Sequence, residues 1–372
     1  MRILVVTRSY PQVDDLYQYP FVHRRVLAYV AAGHEVRVFR PAARPGAHIF
    51  EGVLCLSGNA SALAALVEDF EPDVLSVHGP NENMWEVLKP VSDLPIRAWL
   101  HGSEIPGIFR AKSECLDGPA RAEALRSVAE RCEFWKAFLA TRRENLKLVF
   151  VSRSAARLAC EDIPLEPSDF TVIHNPIDTD LFAYRPKSPE DRLRILMIRP
   201  FESYCYGNDL AVRAIGHLRN KEGFERLHVT IIGDGPMFDE IVAPICDLPN
   251  LTLVRRFLTQ AEIVEEHRRN GVFLVPTRLD TQGVSRDEAM SSGLVPVTNA
   301  VSAVPEFVDE SCAGLAGPED VFGLAEAIWA LAQDVDEFLA KSRAAADRVR
   351  LQSGADTIIP AELALLEGAI RD

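Results

Sequence analysis

The chain has 372 residues, 48% hydrophobic and 25% charged, with a formal net charge of −14. That length exceeds one ordinary core and suits two domains, and the composition is globular, which excludes a disordered chain. The acidic balance excludes a general nucleic-acid binder, because neutralising phosphates needs a basic surface.

The first residues, MRILVV, read as a strand with no charged-then-apolar leader before it. No apolar run approaches the roughly 20 residues of a membrane-spanning helix, so a soluble, cytoplasmic protein is expected. Residues 2–7 have the pattern of a parallel strand buried on both faces. A polar loop containing Asp14 and Asp15 follows. The periodic apolar positions of 21–32 predict a helix that stops at Gly33, and 36–39 is the next strand. Alternation continues with strands at 53–56, 74–77 and 96–100 and helices near 60–70 and 83–91. This predicts an α/β fold with a doubly wound parallel sheet, whose ligands bind beyond the strand C-termini. The residues there are 8–18, 78–83 and 101–104.

Residues 109–146 form the longest helical stretch, broken near Gly118 and Pro119. Between 110 and 157 there are eleven basic and six acidic residues, an island of positive charge in an acidic protein. It reads either as a solvated helix face or as a peripheral docking surface for an anionic acceptor or lipid head group at the inner face of a membrane. Strands at 148–151 and 171–174 precede HNPIDTDLF and a polar segment, 185–192, taken as the linker. A second alternating series then runs from a strand at 193–198 to a helix at 334–350. The expected division is an N-terminal domain 1–184, the linker, a C-terminal domain 193–352 and a separate C-terminal helix within 353–372.

Several residues carry candidate chemistry. VFLVPTRLDTQGVSRDEAMSSGLVPV (272–297) reads as strand, polar turn, helix and strand. A helix that starts there offers backbone N–H groups to an anion. Asp280 in the turn and Glu288 on the helix, with seven residues between them, suit a hydroxyl-rich ligand, or else a cap and a surface Glu. Arg199, just past a strand, suits a diphosphate or an ordinary salt bridge. GDGP (233–236) with Gly233 is half of a phosphate-type glycine turn, or merely a tight turn. His101, in WLHGSE at a strand end, is either hydrogen-bonded structure or a donor to a sugar or leaving phosphate, with His78 a second candidate. The seven cysteines are unpatterned, so no disulfide framework and no metal site is expected.

DTQGVSRDEAMSSGLVPV resembles the acidic-x7-Glu signature of glycosyltransferase family 4, the group 1 glycosyltransferases. These are retaining enzymes of the GT-B fold, with two Rossmann-like doubly wound domains and an interdomain cleft. MRILVVT through AAGHEVRVF, VIHNPIDTDLF, LMIRPFE, IIGDGPMFDE and AVPEFV are similar to further family segments, in the family's order. The resemblance implies that Glu288 binds the donor's ribose and Asp280 the transferred sugar. It implies that the N–H groups of Gln282, Gly283 and Val284 hold the sugar or diphosphate, and that Arg199 neutralises the leaving diphosphate. His101 would contact the sugar or phosphate from the N-terminal domain. The implied donor is a UDP- or GDP-linked sugar, the acceptor a glycan or glycolipid, and the setting surface polysaccharide biosynthesis; no metal or separate cofactor is implied.

The chain departs from the family in three places. Tyr206-Gly207 stands where the family has Lys-Gly, leaving Arg278, Arg286 or Arg255 as substitutes for that cation. Asp280 replaces a Glu, and VDDLYQYPF replaces a glycine pair in the first loop. These departures motivate the alternative of a non-catalytic nucleotide-sugar-binding subunit. A hydrolase using Asp280 and Glu288 is disfavoured, since that pair would have to flank one bond.

Overall fold

A computed structural model describes residues 1–13, 15–16, 18–140 and 144–371, of Arg371 the backbone only. Asp14 of the first loop, and Arg142 and Arg143 of the basic stretch, lie outside the described residues. The chain forms two units. One is Met1–Pro176 with the C-terminal helix Ala355–Arg371, and the other is Ile177–Gly354.

The first unit is built on eight strands: β1 (Arg2–Thr7), β2 (Glu35–Pro41), β3 (Gly46–Phe50), β4 (Val53–Gly58), β5 (Val74–His78), β6 (Ile96–Leu100), β7 (Leu146–Phe150) and β8 (Phe170–Val172). Their order is β3-β4-β2-β1-β5-β6-β7-β8, parallel throughout except for β3, which pairs antiparallel with β4. The sequence reading did not anticipate β3, a short, largely exposed edge strand that starts at a glycine just after Pro45. The central strands are buried on both faces, which is why they read as unbroken apolar runs. Asn59, Asn81 and Ser152 cap three of the helices, each accepting an N–H from the first turn. Ile358, Ile359 and Leu366 of the C-terminal helix join Val22, Val26 and Tyr29 of the helix Pro20–Ala31 in one apolar cluster.

The second unit has six strands: β9 (Arg194–Ile198), β10 (His228–Gly233), β11 (Leu251–Arg255), β12 (Val272–Leu274), β13 (Val295–Asn299) and β14 (Gly314–Ala316). All pair in parallel, in the order β11-β10-β9-β12-β13-β14. Alternate residues of β9 feed two cores: Ile195 and Met197 enter one, Leu196 and Ile198 the other.

The observed break differs from the expected linker. Residues 177–192 pack on the second unit, where the Ile177 N–H donates to Ser353 at 2.8 Å and Ser291 Oγ donates to the Phe182 carbonyl at 2.7 Å. Lys187 Nζ reaches the His267 carbonyl at 2.6 Å and Arg192 Nε the Ala332 carbonyl at 2.9 Å. The polar composition hid this, because these long side chains bury their stems and satisfy their heads on backbone carbonyls. The C-terminal helix, whose docking place the sequence did not show, belongs to the first unit.

Candidate functional site

In the second sheet the order of connection reverses between β9 and β12. A crevice outside the strand C-termini forms at such a point. Arg199 follows β9 and the segment 275–283 follows β12, so the topology delivers both to the same edge.

Arg199 is 7% exposed, and its Nη2 donates to the Pro276 carbonyl at 3.2 Å. Its Nε is buried with no hydrogen-bond partner among the described residues. A buried unsatisfied guanidinium N–H is rare and invites an explanation. The Tyr206 ring lies 5.3 Å from the guanidinium. Burial lowers the Arg199 pKa from its usual value, Asp280 and Tyr206 act in the opposite sense, and Arg286 acts with burial. Arg199, Tyr206, Asp280 and Arg286 therefore share one electrostatic neighbourhood.

Gly233 is required by close approach of backbone. A Cβ there would lie 1.9 Å from the Arg199 carbonyl, and one at Gly235 (φ +144°) would lie 2.5 Å from the backbone of Phe201. The Phe201 N–H donates to the Asp234 carbonyl at 2.8 Å. The GDGP turn thus braces the chain that carries Arg199.

Asp280 is half-buried, and its Oδ1 accepts the Gln282 N–H at 3.1 Å, folding the turn. Gly283 (φ +98°) precedes the helix Val284–Ser291. The first N–H groups of that helix lack intrahelical partners, and its macrodipole favours an anion there. Gln282 is buried, with its amide 3.3 Å from Asp287. Arg286 is held by Asp287 and by the Gln282 carbonyl. Glu288 sits half-buried in the second turn of the same helix. The structure thus gathers Arg199, Gly233, Asp280, Gln282, Gly283 and Val284 at the reversal point, with Glu288 one turn along the helix.

Of the candidates for the missing cation, Arg278 is clasped by Asp209 (2.7 and 2.8 Å) and Glu319 (2.6 and 2.8 Å). Arg255 is held by Asp234 and Asp239. Arg286 alone of the three is felt at Arg199.

In the first unit, His101 follows β6. Its Nε2 lies 3.2 Å from Nδ1 of His78, and the two rings stack at 5.5 Å. Burial and the nearby Arg25 charge push both imidazoles well below their usual pKa, so both are neutral. Glu104 Oε2 accepts the N–H groups of His101 (2.9 Å) and Gly102 (2.8 Å), which fixes this loop. A pocket of ≈ 160 Å³ beyond β5 and β6 is lined by Asn81, Glu82, Asn83, Ser103, Arg131 and Phe134, among others. Sequence reasoning passed over Glu104, Arg25 and Asn175. The last two are considered below.

Four described members of the basic stretch find local partners. Arg110 pairs with Asp162, Arg126 with Glu123 and Lys136 with Glu133, while Arg131 covers the Phe109 ring. Among the described residues, no group of three or more His, Cys, Asp or Glu side chains could hold a metal ion. No helix among them is long and apolar enough to cross a membrane.

Comparison with known proteins follows the same division. Residues 192–334 match the family model described as glycosyl transferases group 1, and residues 21–181 match that of glycosyltransferase family 4. A glycogen synthase of Mycobacterium tuberculosis is 25% identical over 96% of this chain and 91% of its own. A glycosyltransferase structure from Rickettsia africae is 13% identical with a TM-score of 0.74, covering 100% of this chain and 99% of that one. The Anabaena protein HepE, solved with UDP and glucose, is also 13% identical, with a TM-score of 0.72 over 99% of this chain and 100% of its own.

Proposed function

The chain belongs to the group 1, family 4 glycosyltransferases and has their GT-B fold, and from that premise we propose that it moves a sugar from a nucleotide-sugar to a glycan or glycolipid hydroxyl with retention of configuration. The observation that carries this reading is the buried Arg199, its Nε without a partner among the described residues, beside the Gly283-led helix start. HepE, a relative by fold, was solved with UDP and glucose, which favours a nucleotide diphosphate at this edge.

As the bond between the anomeric carbon and the diphosphate breaks, its electron pair leaves with the phosphate, the sugar becomes cation-like, and the acceptor oxygen bonds to that carbon while its proton passes to the departing phosphate. Arg199 and the helix N-terminus then face growing negative charge, with Arg286 behind them paired to Asp287, and such preorganised fields are the strongest single catalytic device. Asp280 accepts hydrogen bonds from the sugar hydroxyls and Glu288 from the ribose. Gln282, Gly283 and Val284 supply backbone around the diphosphate. The protein side chains provide this field without a protein-held metal. The polar pocket of the first unit, with amides, carboxylates and an arginine beside Phe134, suits acceptor hydroxyls.

The test is nucleotide release from a panel of UDP- and GDP-sugars with glycan and glycolipid acceptors, beside thermal shifts by the same donors. Release with a matching shift is expected, and neither effect with any donor would reject the reading. A shift without release would favour the second reading, a nucleotide-sugar-binding subunit. Tyr206 at the lysine position and the ion-paired Arg278 and Arg255 motivate that second reading. Glu288→Ala is expected to raise the donor KM more than Asp280→Ala does, and the reverse order would exchange their assigned contacts. Peripheral membrane contact through 110–157 predicts salt-sensitive sedimentation with anionic vesicles; no binding at low salt would dismiss it.

A further inference from the structure

One buried polar cluster lies wholly within the first unit and ends at His101, whose contact with sugar or phosphate the resemblance implies. Arg25 sits in the apolar stripe of the helix Pro20–Ala31, among Val22, Val26 and Tyr29, fully out of solvent. Its Nε donates to Glu362 Oε1 at 2.8 Å and its Nη2 to Asn175 Oδ1 at 2.9 Å. Glu362 belongs to the C-terminal helix and is equally buried; its second oxygen accepts the Tyr29 hydroxyl at 2.6 Å. Asn175 interacts with the His101 ring, and Ser76 with both Tyr29 and His78. Hydrogen bonds thus join Asn175, Arg25, Glu362 and Tyr29 in one chain and Ser76, His78 and His101 in another, and the interactions of Asn175 with His101 and of Ser76 with Tyr29 bring the two chains together.

A buried ion pair is weak evidence for stability, because desolvation offsets most of its attraction. Its surer effect is geometric, since buried hydrogen bonds fix the side chains that make them. Resting on the reading that His101 contacts the donor's sugar or phosphate, we infer that Glu362 is a positioning residue for His101 and its loop, acting through Arg25 and Asn175. Arg25 holds the Asn175 Oδ1, which turns that amide toward His101, and Glu362 balances the buried Arg25 charge.

The neutral imidazole pair follows from the same arrangement. Burial and the Arg25 charge disfavour protonation of both rings, and Asn175 opposes this at His101. The other ionisable groups around His101 are Glu104 beneath its backbone N–H and Tyr19 against its ring edge. Tyr29 and Glu362 themselves are pushed up by burial. Removing Arg25 together with Glu362 leaves no unpaired buried ion but lifts the positive charge from both rings, so His101 gains a proton at a higher pH than before.

The test uses the full chain with nitrogen-15 in the histidine rings, assigned through His78→Gln and His101→Gln. Wild type is expected to show both rings neutral, each in one tautomer, across the ordinary imidazole titration range. In the double variant Arg25→Met/Glu362→Gln, His101 should lose its single tautomer and titrate inside that window. Asn175→Ala, which leaves the ion pair alone, should also release the tautomer and serves if the double variant does not fold. With an active donor and acceptor, turnover should fall roughly tenfold or more while the donor KM stays within about threefold, since a small misplacement costs rate before binding. The acid limb of turnover should move to higher pH in the double variant, which mere loosening of the fold would not cause. An unchanged His101 ring spectrum in a folded variant overturns the proposal. Ring spectra as expected, with no transfer by wild type, would reject the functional reading and leave the positioning result standing.

Discussion

At the scale of single residues, the diphosphate edge sets side-chain chemistry against backbone geometry. Arg199→Ala removes the buried guanidinium and should lower kcat roughly 10²–10³-fold, the usual effect of losing one donor to a developing anion. Steady-state nucleotide release measures this, and wild-type turnover would remove Arg199 from the mechanism. Gly233→Ala should resemble that loss without touching a charge, because its Cβ would collide with the Arg199 carbonyl. A lower melting point together with lower turnover is expected, whereas lower turnover alone would make Gly233 a ligand contact. Both residues were visible in the sequence, Arg199 as a cation after a strand and Gly233 within GDGP. What the sequence hid was their mutual contact, which exists only once β9 and β10 pair.

Elements bring a second kind of prediction, one that depends on how the 177–192 segment is held. Lys187 donates to the carbonyl of His267, and the His267 ring, 3.1 Å from Ser292 Oγ, is buried. Burial first and the Lys187 charge second lower the His267 pKa to about 3. The unfolded chain titrates near 6.5, so between about pH 6.5 and 3 the unfolded state takes up a proton that the folded state refuses. Stability is full above that window and falls by up to about 1.4 kcal/mol per pH unit on acidification within it. Denaturant melts against pH should show this slope, and His267→Gln should flatten it; an unchanged slope would mean that another group dominates. The strand–turn–helix around Asp280 was legible because its periodicity changes within a few residues. The tie at 185–192 was not, because a Pro-containing polar segment looks alike whether or not its long side chains find carbonyls.

For the molecule as a whole, the two units differ in how the chain supplies them. Ile177–Gly354 is one continuous segment, whereas the first unit needs the distant helix Ala355–Arg371 to complete its core. Residues 177–354 expressed alone should melt cooperatively, while residues 1–176 alone should expose the apolar face around Val22 and Val26 and aggregate. Adding a peptide of residues 355–372 to the shorter fragment should restore solubility; its failure would place the stabilising contact elsewhere. The alternation of strands and helices made both sheets legible from sequence. The charged members of the apolar stripes, Arg25 between Val22 and Val26 and Glu362 between Ile358 and Leu366, were the signal that the sequence reading passed over. Only the returning helix identified each as the other's partner.

Arg25 and Glu362 are 337 positions apart. On a ribosome that adds roughly 5–20 residues each second, the guanidinium emerges well before its counter-ion has been synthesised. The part of the protein made first is therefore finished last, and the continuous second unit can reach its native state while the earlier one still waits for its closing helix. Nascent chains stalled just short of residue 355 should accordingly hold on to chaperones through their N-terminal half.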